Sequence, residues 1–156
     1  MAIALAQAAV GSTFNPGLVF AWTYGKGADP YFGGWALSIF DAAGNGVGGR
    51  GAEGSIDDGN WHHLVHTIDR IKGMVTYLDG VAAHYTVAGG SSIAAAGNIN
   101  TSRPATIGQD PTGQYQESGS ADIDDLGVWR RALTALEASS IYMAAVSNHL
   151  SFTGPP

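Results

Sequence analysis

An all-β protein of two antiparallel sheets, closed by one C-terminal helix, is the fold class this sequence predicts. Three observations carry that expectation. The 156 residues hold 23 glycines and 6 prolines with only 13% charged side chains, a composition suited to short strands and tight turns. The stretch Asp58–Val81 reads as a meander of three strands. Near the C-terminus, Thr134-Ala135-Leu136-Glu137 has the spacing of a helix capping box.

The elements follow in chain order. Met1–Thr13 is an apolar arm, ended by turn chemistry at Asn15-Pro16-Gly17. Leu18–Tyr24 reads as a strand and Gly25–Pro30 as a loop. Gly34–Phe40 is the next strand, with apolar groups on both faces, as in a sandwich whose outer face is partly covered. Gly44–Gly54 holds six glycines, so a strand there is expected to be weak, with an edge position open to it.

The meander is the centre of the chain. Trp61–Asp69 and Met74–Leu78 are strand-favouring runs separated by Arg70-Ile71-Lys72-Gly73, and Asp79-Gly80 fits a two-residue type I′ reversal. The long first run is expected centrally in its sheet. Ala88–Thr101 reads as a small-residue loop, mobile or ligand-binding. Ala105–Gly108 is a short strand, Gln109–Ser120 a polar loop, and Ala121–Trp129 the last strand. The apolar phase of that strand slips between Ile123 and Leu126, which one extra residue at Asp124-Asp125 repairs, so a β-bulge is expected there. Ala138, Ile141, Tyr142 and Ala145 then form one helical stripe. The chain divides into an arm (1–13), one folded domain (14–147) and a tail (148–156).

Composition narrows function. A net charge of −6, with seven scattered basic residues, argues against a nucleic-acid partner. Cysteine is absent, so neither disulfides nor thiol chemistry contribute. No stretch approaches the ~20 apolar residues of a membrane span. Ala6-Gln7-Ala8 has the small-x-small form of a cleavage site, but the arm lacks a positive start and its apolar run is short, so a signal peptide is unconvincing.

Two segments carry a resemblance. Gly59-Asn60-Trp61-His62-His63-Leu64-Val65, Asp69-Arg70 and Tyr77-Leu78-Asp79-Gly80 form the first. Ile123–Trp129, Arg131-Ala132-Leu133-Thr134 and Ile141-Tyr142 form the second. Together they resemble the laminin-G-like jelly rolls of the concanavalin-A-like superfamily, from about Gly34 to Ala145. The resemblance implies a jelly-roll sandwich, with Ala121–Trp129 as its closing strand. The opening is less well matched, and a first strand missing, displaced or supplied by a neighbour is one reading of it.

Several residues are candidates for chemistry. Asp122 and Asp124 begin the alternating acid ladder of laminarinase-like hydrolases, in which carboxylates on one strand face serve as nucleophile and proton donor. Leu126 and Gly127 interrupt it, and the only glutamates are Glu53, Glu117 and Glu137. The aspartates are therefore expected to serve backbone amides or the following arginines, and no catalytic residue is assigned. His62 and His66 share a strand face while His63 points away, so no three-histidine zinc site arises from this segment. Gln109-Asp110, with Gln116 and Glu117, resembles the pentraxin calcium loop, although Pro111 and the scarcity of acids depart from it. These four are the candidate Ca²⁺ ligands, oxygen donors of the kind a hard cation takes; a solvated loop is the alternative. Tyr31 and Phe32 are candidate ligand-binding aromatics, while Trp22 and Trp35 are expected in the core. Ile3, Leu5 and Val10 are the anchors with which the arm would dock on a neighbouring subunit.

The function these features favour is a non-enzymatic structural or adhesive subunit of a multi-copy assembly, such as a phage decoration or tail-associated protein. Its partners would be further copies or other assembly subunits, with glycan or protein held in the loops, on a virion or cell surface. The alternative is a free-standing, calcium-assisted lectin-like module, and a glycan-cleaving enzyme ranks third.

Overall fold

The strand Gly34–Phe40 (β3) holds the three most deeply buried large apolar side chains, Trp35, Leu37 and Ile39, and the larger sheet is built outward from it. The computed structural model describes residues 3–4, 17–23, 33–90, 92–107 and 122–149, with side chains described from Gly33 onward except at 88–89 and 148–149. Its strands are β1 (Ile3–Ala4), β2 (Gly17–Thr23), β3, β4 (Gly46–Arg50), β5 (Leu64–Asp69), β6 (Gly73–Leu78), β7 (Val81–Ala83), β8 (Thr86–Gly90) and β9 (Thr106–Ile107). A short 3₁₀ turn at Ile93–Ala95 and one helix, α1 (Ala135–His149), complete the elements.

Two antiparallel sheets result. The larger has the order β8-β4-β3-β2-β1-β9 and the smaller the order β5-β6-β7. They meet through one core of Leu37, Ile39 and Val47 from the large sheet, Met74 from β6, and Ile93 and Ala96 from the connection after β8. Alternation aims Leu64, His66 and Ile68 of β5 at that core and leaves Val65 on the other face. There Val65 and Tyr77 pack with Leu133 and Ala138 beneath α1.

Expectation and structure differ at several elements. β4 lies inside its sheet, between β3 and β8, where the expectation was a weak strand with an edge position open to it. Its glycines are there for proximity: a Cβ on Gly49 would strike the ring of Tyr85, and one on neighbouring Gly51 the indole of Trp35. The 88–101 stretch is no open loop, since β8 runs into it and Ile93 and Ala96 are core residues. Asp41 accepts the Gly97 amide at 2.9 Å, and the Arg70 guanidinium donates to the carbonyls of Ala96 and Gly97.

In the smaller sheet the middle strand is β6, not the long first run, which starts at Leu64 rather than Trp61. The reason is that residues 122–129, read as the last strand, form no ladder and leave β5 at the edge of the described sheet. The β-bulge expected at Asp124-Asp125 is therefore not formed among the described residues; Asp125 has positive φ (51°) in a bend instead.

The turns and helix match the sequence reading. Asp79 and Gly80 both have positive φ (50° and 77°), as a type I′ reversal demands. Thr134 Oγ1 accepts the Glu137 amide (3.2 Å) while Glu137 Oε2 accepts the Thr134 amide (2.9 Å), the reciprocal capping box. Ala138 is fully buried and Ile141 packs beside it. α1 continues to His149, past the expected end of the domain at 147, because neither glycine nor proline occurs before Gly154.

The arm also differs from expectation. Ile3–Ala4 pairs antiparallel with β2 on one side and β9 on the other. Its backbone thus completes this chain's own sheet, where docking on a neighbour was anticipated.

Candidate functional site

A cleft of about 1060 Å³ opens between the smaller sheet and the extended segment 122–131. β5 and the loop before it, residues 56–57 and 59–63, line one side, and residues 105–107 also contribute. Two large aromatics stand on it partly exposed, Trp61 (61%) and Trp129 (46%). Asp57, Asn60, Asp122, Asp124 and Asp125 also line the cleft and add oxygen acceptors to it. Apolar rings flanked by carboxylate and amide oxygens can stack on a sugar face and bind its hydroxyls.

Histidine chemistry beside the cleft is structural. His62 places Nδ1 2.8 Å from Asp79 Oδ2 and Nε2 2.9 Å from Asp58 Oδ1. Two carboxylates accept from both ring nitrogens only when each carries hydrogen, so the full pair of bonds belongs to the imidazolium form. Partial burial opposes that charge, but the hydrogen bonds to Asp79 and Asp58 outweigh it and raise the His62 pKa. Asp58 in turn is held down to about 2, chiefly by the Asn60 side-chain amide, then by the Asn60 backbone and His62. The second oxygen of Asp79 accepts the His63 amide at 2.9 Å, so this cluster ties the loop before β5 to the β6–β7 turn.

His66 and His63 lie on opposite faces, as alternation requires. His66 meets Trp35 edge-on at 5.4 Å and places Nδ1 2.8 Å from Thr76 Oγ1; burial drives its pKa down to about 3. His63 stacks at a tilt on Tyr142 of α1 with ring centroids 6.0 Å apart, and burial lowers its pKa too. Among the described residues no three His, Asp or Glu side chains come together to hold a metal ion.

The acidic run lines the cleft, exposed and unlike a catalytic ladder. Asp124 Oδ1 accepts the Asp125 amide at 2.9 Å, which supports the bend at positive φ. Arg131 is not held by these aspartates; it forms a two-pronged pair with Glu137, at 2.8 and 2.6 Å. Glu137 therefore serves both the cap and the arginine, and these bonds lower its pKa to about 2.

This architecture has a match among sequence families. The profile of the laminin-G-like family, described as the concanavalin A-like lectin/glucanases superfamily, covers residues 7–139. The chain belongs to that superfamily. No curated protein and no solved structure matches it. Lectins and glucanases share the superfamily's name, so membership fixes the sandwich and leaves the chemistry to the site.

Of the residues singled out in the sequence, Gln109, Asp110, Gln116, Glu117, Tyr31, Phe32, Leu5 and Val10 lie outside the described residues, as does the side chain of Ile3. Trp35 is core, as expected. The cleft aromatics Trp61 and Trp129 were not singled out. The signal was available: each abuts polar residues at a run's end, Asn60-Trp61-His62 and Trp129-Arg130-Arg131.

Proposed function

We propose that the chain is a non-enzymatic adhesive module that holds a glycan in the cleft beside β5. The observation that carries this reading is that exposed Trp61 and Trp129 line one cleft together with Asn60, Asp57 and Asp122. Absence of turnover is supported by the duties of the acids: Asp58 and Asp79 bind His62, Asp124 closes its own bend, and Glu137 caps α1. Calcium held by Gln109, Asp110, Gln116 and Glu117 belongs to the same proposal.

The test is a glycan array followed by titration of the best binder. Trp61→Ala should weaken binding by about 5- to 150-fold, since stacking on an aromatic face is worth about 1–3 kcal/mol in the analogous case of bases. No binding across the array, or Trp61→Ala binding as tightly as the parent, would reject the cleft. Release of reducing sugar that disappears in Asp122→Asn or Asp124→Asn would instead make the protein a hydrolase.

One observation favours a second reading, a subunit of a multi-copy assembly such as a phage decoration or tail-associated protein. Leu136 (78% exposed), Met143 (57%) and Val146 (39%) lie along α1 at i, i+7 and i+10, an apolar strip suited to a neighbouring subunit. Images of purified material distinguish ordered particles from monomers.

A further inference from the structure

The cleft beside β5 is unevenly charged. Four carboxylates line it, those of Asp57, Asp122, Asp124 and Asp125, and all four residues are exposed. The groups able to carry positive charge are Arg130, Arg131 and the histidines 62, 63 and 66. Arg131 is already matched by Glu137, whose carboxylate meets the guanidinium at 2.8 and 2.6 Å. His62, when protonated, is matched by Asp58 and Asp79 at 2.9 and 2.8 Å. Burial lowers the pKa of His63 and His66, which keeps further charge from the lining. Arg130 remains to balance the four acids, so the lining is negative.

The two indoles bear on the same point. Trp61 and Trp129 stand partly exposed on the cleft. The face of an indole attracts a cation more strongly than any other aromatic side chain does. These groups are held before any ligand arrives. A Cβ on Gly127 would strike the Trp129 ring, so that ring lies directly against the backbone. A Cβ on Gly33 would strike the Asp57 carboxylate, which is seated at the start of β3 in the same way. Trp61 lies between Asn60 and His62, and both are bonded to Asp58. An anionic ligand would bring its charge among four carboxylates, a like-charge juxtaposition that costs affinity. A neutral sugar gains from stacking and from hydroxyl hydrogen bonds. An ammonium on that sugar gains from the rings and the carboxylates as well.

We propose that the cleft takes a cationic glycan, one built of amino sugars whose amines are not acylated. The ammonium groups meet the indoles and the carboxylates of Asp122, Asp124 and Asp125, and uronic-acid glycans are disfavoured. This rests on the glycan reading of the cleft and names the class of sugar it selects.

Matched β-linked oligosaccharides of glucosamine, N-acetylglucosamine and a uronic acid, titrated on the full chain at about pH 6, test the selection; amines are protonated there. At low salt the glucosamine oligomer should bind at least about tenfold more tightly than the N-acetylated one. An exposed ion pair contributes up to about fivefold and an exposed cation–π contact about as much. The uronic acid oligomer should bind most weakly. At about 1 M salt, where the screening length is ~3 Å, most of the advantage should disappear. Asp125→Asn removes one charge and keeps a residue that tolerates left-handed backbone (φ 51°), and it should narrow the ratio about two- to fivefold. Equal or tighter binding of the N-acetylated or uronic oligomer overturns the cationic preference and leaves the glycan cleft standing. Binding of none of the oligosaccharides rejects the glycan reading and the preference together. Glucosamine binding that survives Trp61→Ala, or that oligolysine equals, is charge attraction without a sugar site and overturns the proposal. The ratio in the unmodified chain is decisive by itself if a variant does not fold.

Discussion

Mild acid should destabilise this protein chiefly through His66. Its ring lies against Trp35 and Thr76 inside the sandwich, and burial lowers its pKa to about 3 from the ordinary 6.5. The folded state keeps the ring neutral, while the unfolded chain takes up a proton below pH 6.5. Stability is therefore full above 6.5 and falls as pH drops toward 3. At pH 5, about 1.5 units below the unfolded value, ~1.4 kcal/mol per unit gives a loss of ~2 kcal/mol. That is a sizeable part of a typical domain's stability of about 5–15 kcal/mol. The window is free of the shifted acids: Asp41, Asp58 and Glu137 sit at about 2, so their contributions fade only below the ordinary carboxylate range. His63, also lowered, adds in the same direction. His62 has the opposite sign: its raised pKa stabilises below 6.5 and is lost as pH rises through the folded value. Urea denaturation at pH 7 and pH 5 measures the difference. His66→Gln, which retains a group able to bond Thr76, should remove ~2 kcal/mol of the acid loss. An equal loss in parent and variant would refute the reasoning.

Other substitutions test the packing and the caps. Gly51→Ala drives a Cβ into the Trp35 indole and should cost about 1–3 kcal/mol, with a changed near-UV circular dichroism signal; a variant as stable as the parent would contradict the close approach. Thr134→Ala removes the hydroxyl that accepts the Glu137 amide and should cost about 1 kcal/mol in urea melts, with fraying confined to the first turn of α1. Calcium at a hundredfold excess over its dissociation constant should stabilise by ~2.7 kcal/mol, and Asp110→Ala should remove the shift; identical melts with Ca²⁺ and with chelator reject the calcium proposal.

What the sequence disclosed and what it withheld divide along a physical line. Local chemistry was legible: the bounds of β3, the positive-φ pair Asp79-Gly80, and the reciprocal bonds of Thr134 and Glu137 each depend on residues within a few positions. Placement of a strand within its sheet was not, because it depends on partners far along the chain. β4 looked like an edge since glycine is a poor strand former, yet its glycines answer Tyr85 and Trp35, which no local window includes. β5 looked central because it is long and apolar, yet it ends its sheet, since residues 122–129, some sixty positions later, form no ladder with it. The histidines show the same division. Alternation separated His63 from His62 and His66, but the carboxylates holding His62 come from a loop and a turn 4 and 17 positions away. The bend at Asp125 joins the two levels. A bulge was inferred there from a phase slip that has meaning only inside a ladder. Among the described residues 122–129 no ladder forms, and the positive φ of Asp125 (51°) belongs to a bend in which the Asp124 carboxylate accepts the Asp125 amide. A phase slip therefore locates a backbone irregularity from neighbouring residues, while whether that irregularity is a bulge depends on a partner strand that no local window includes.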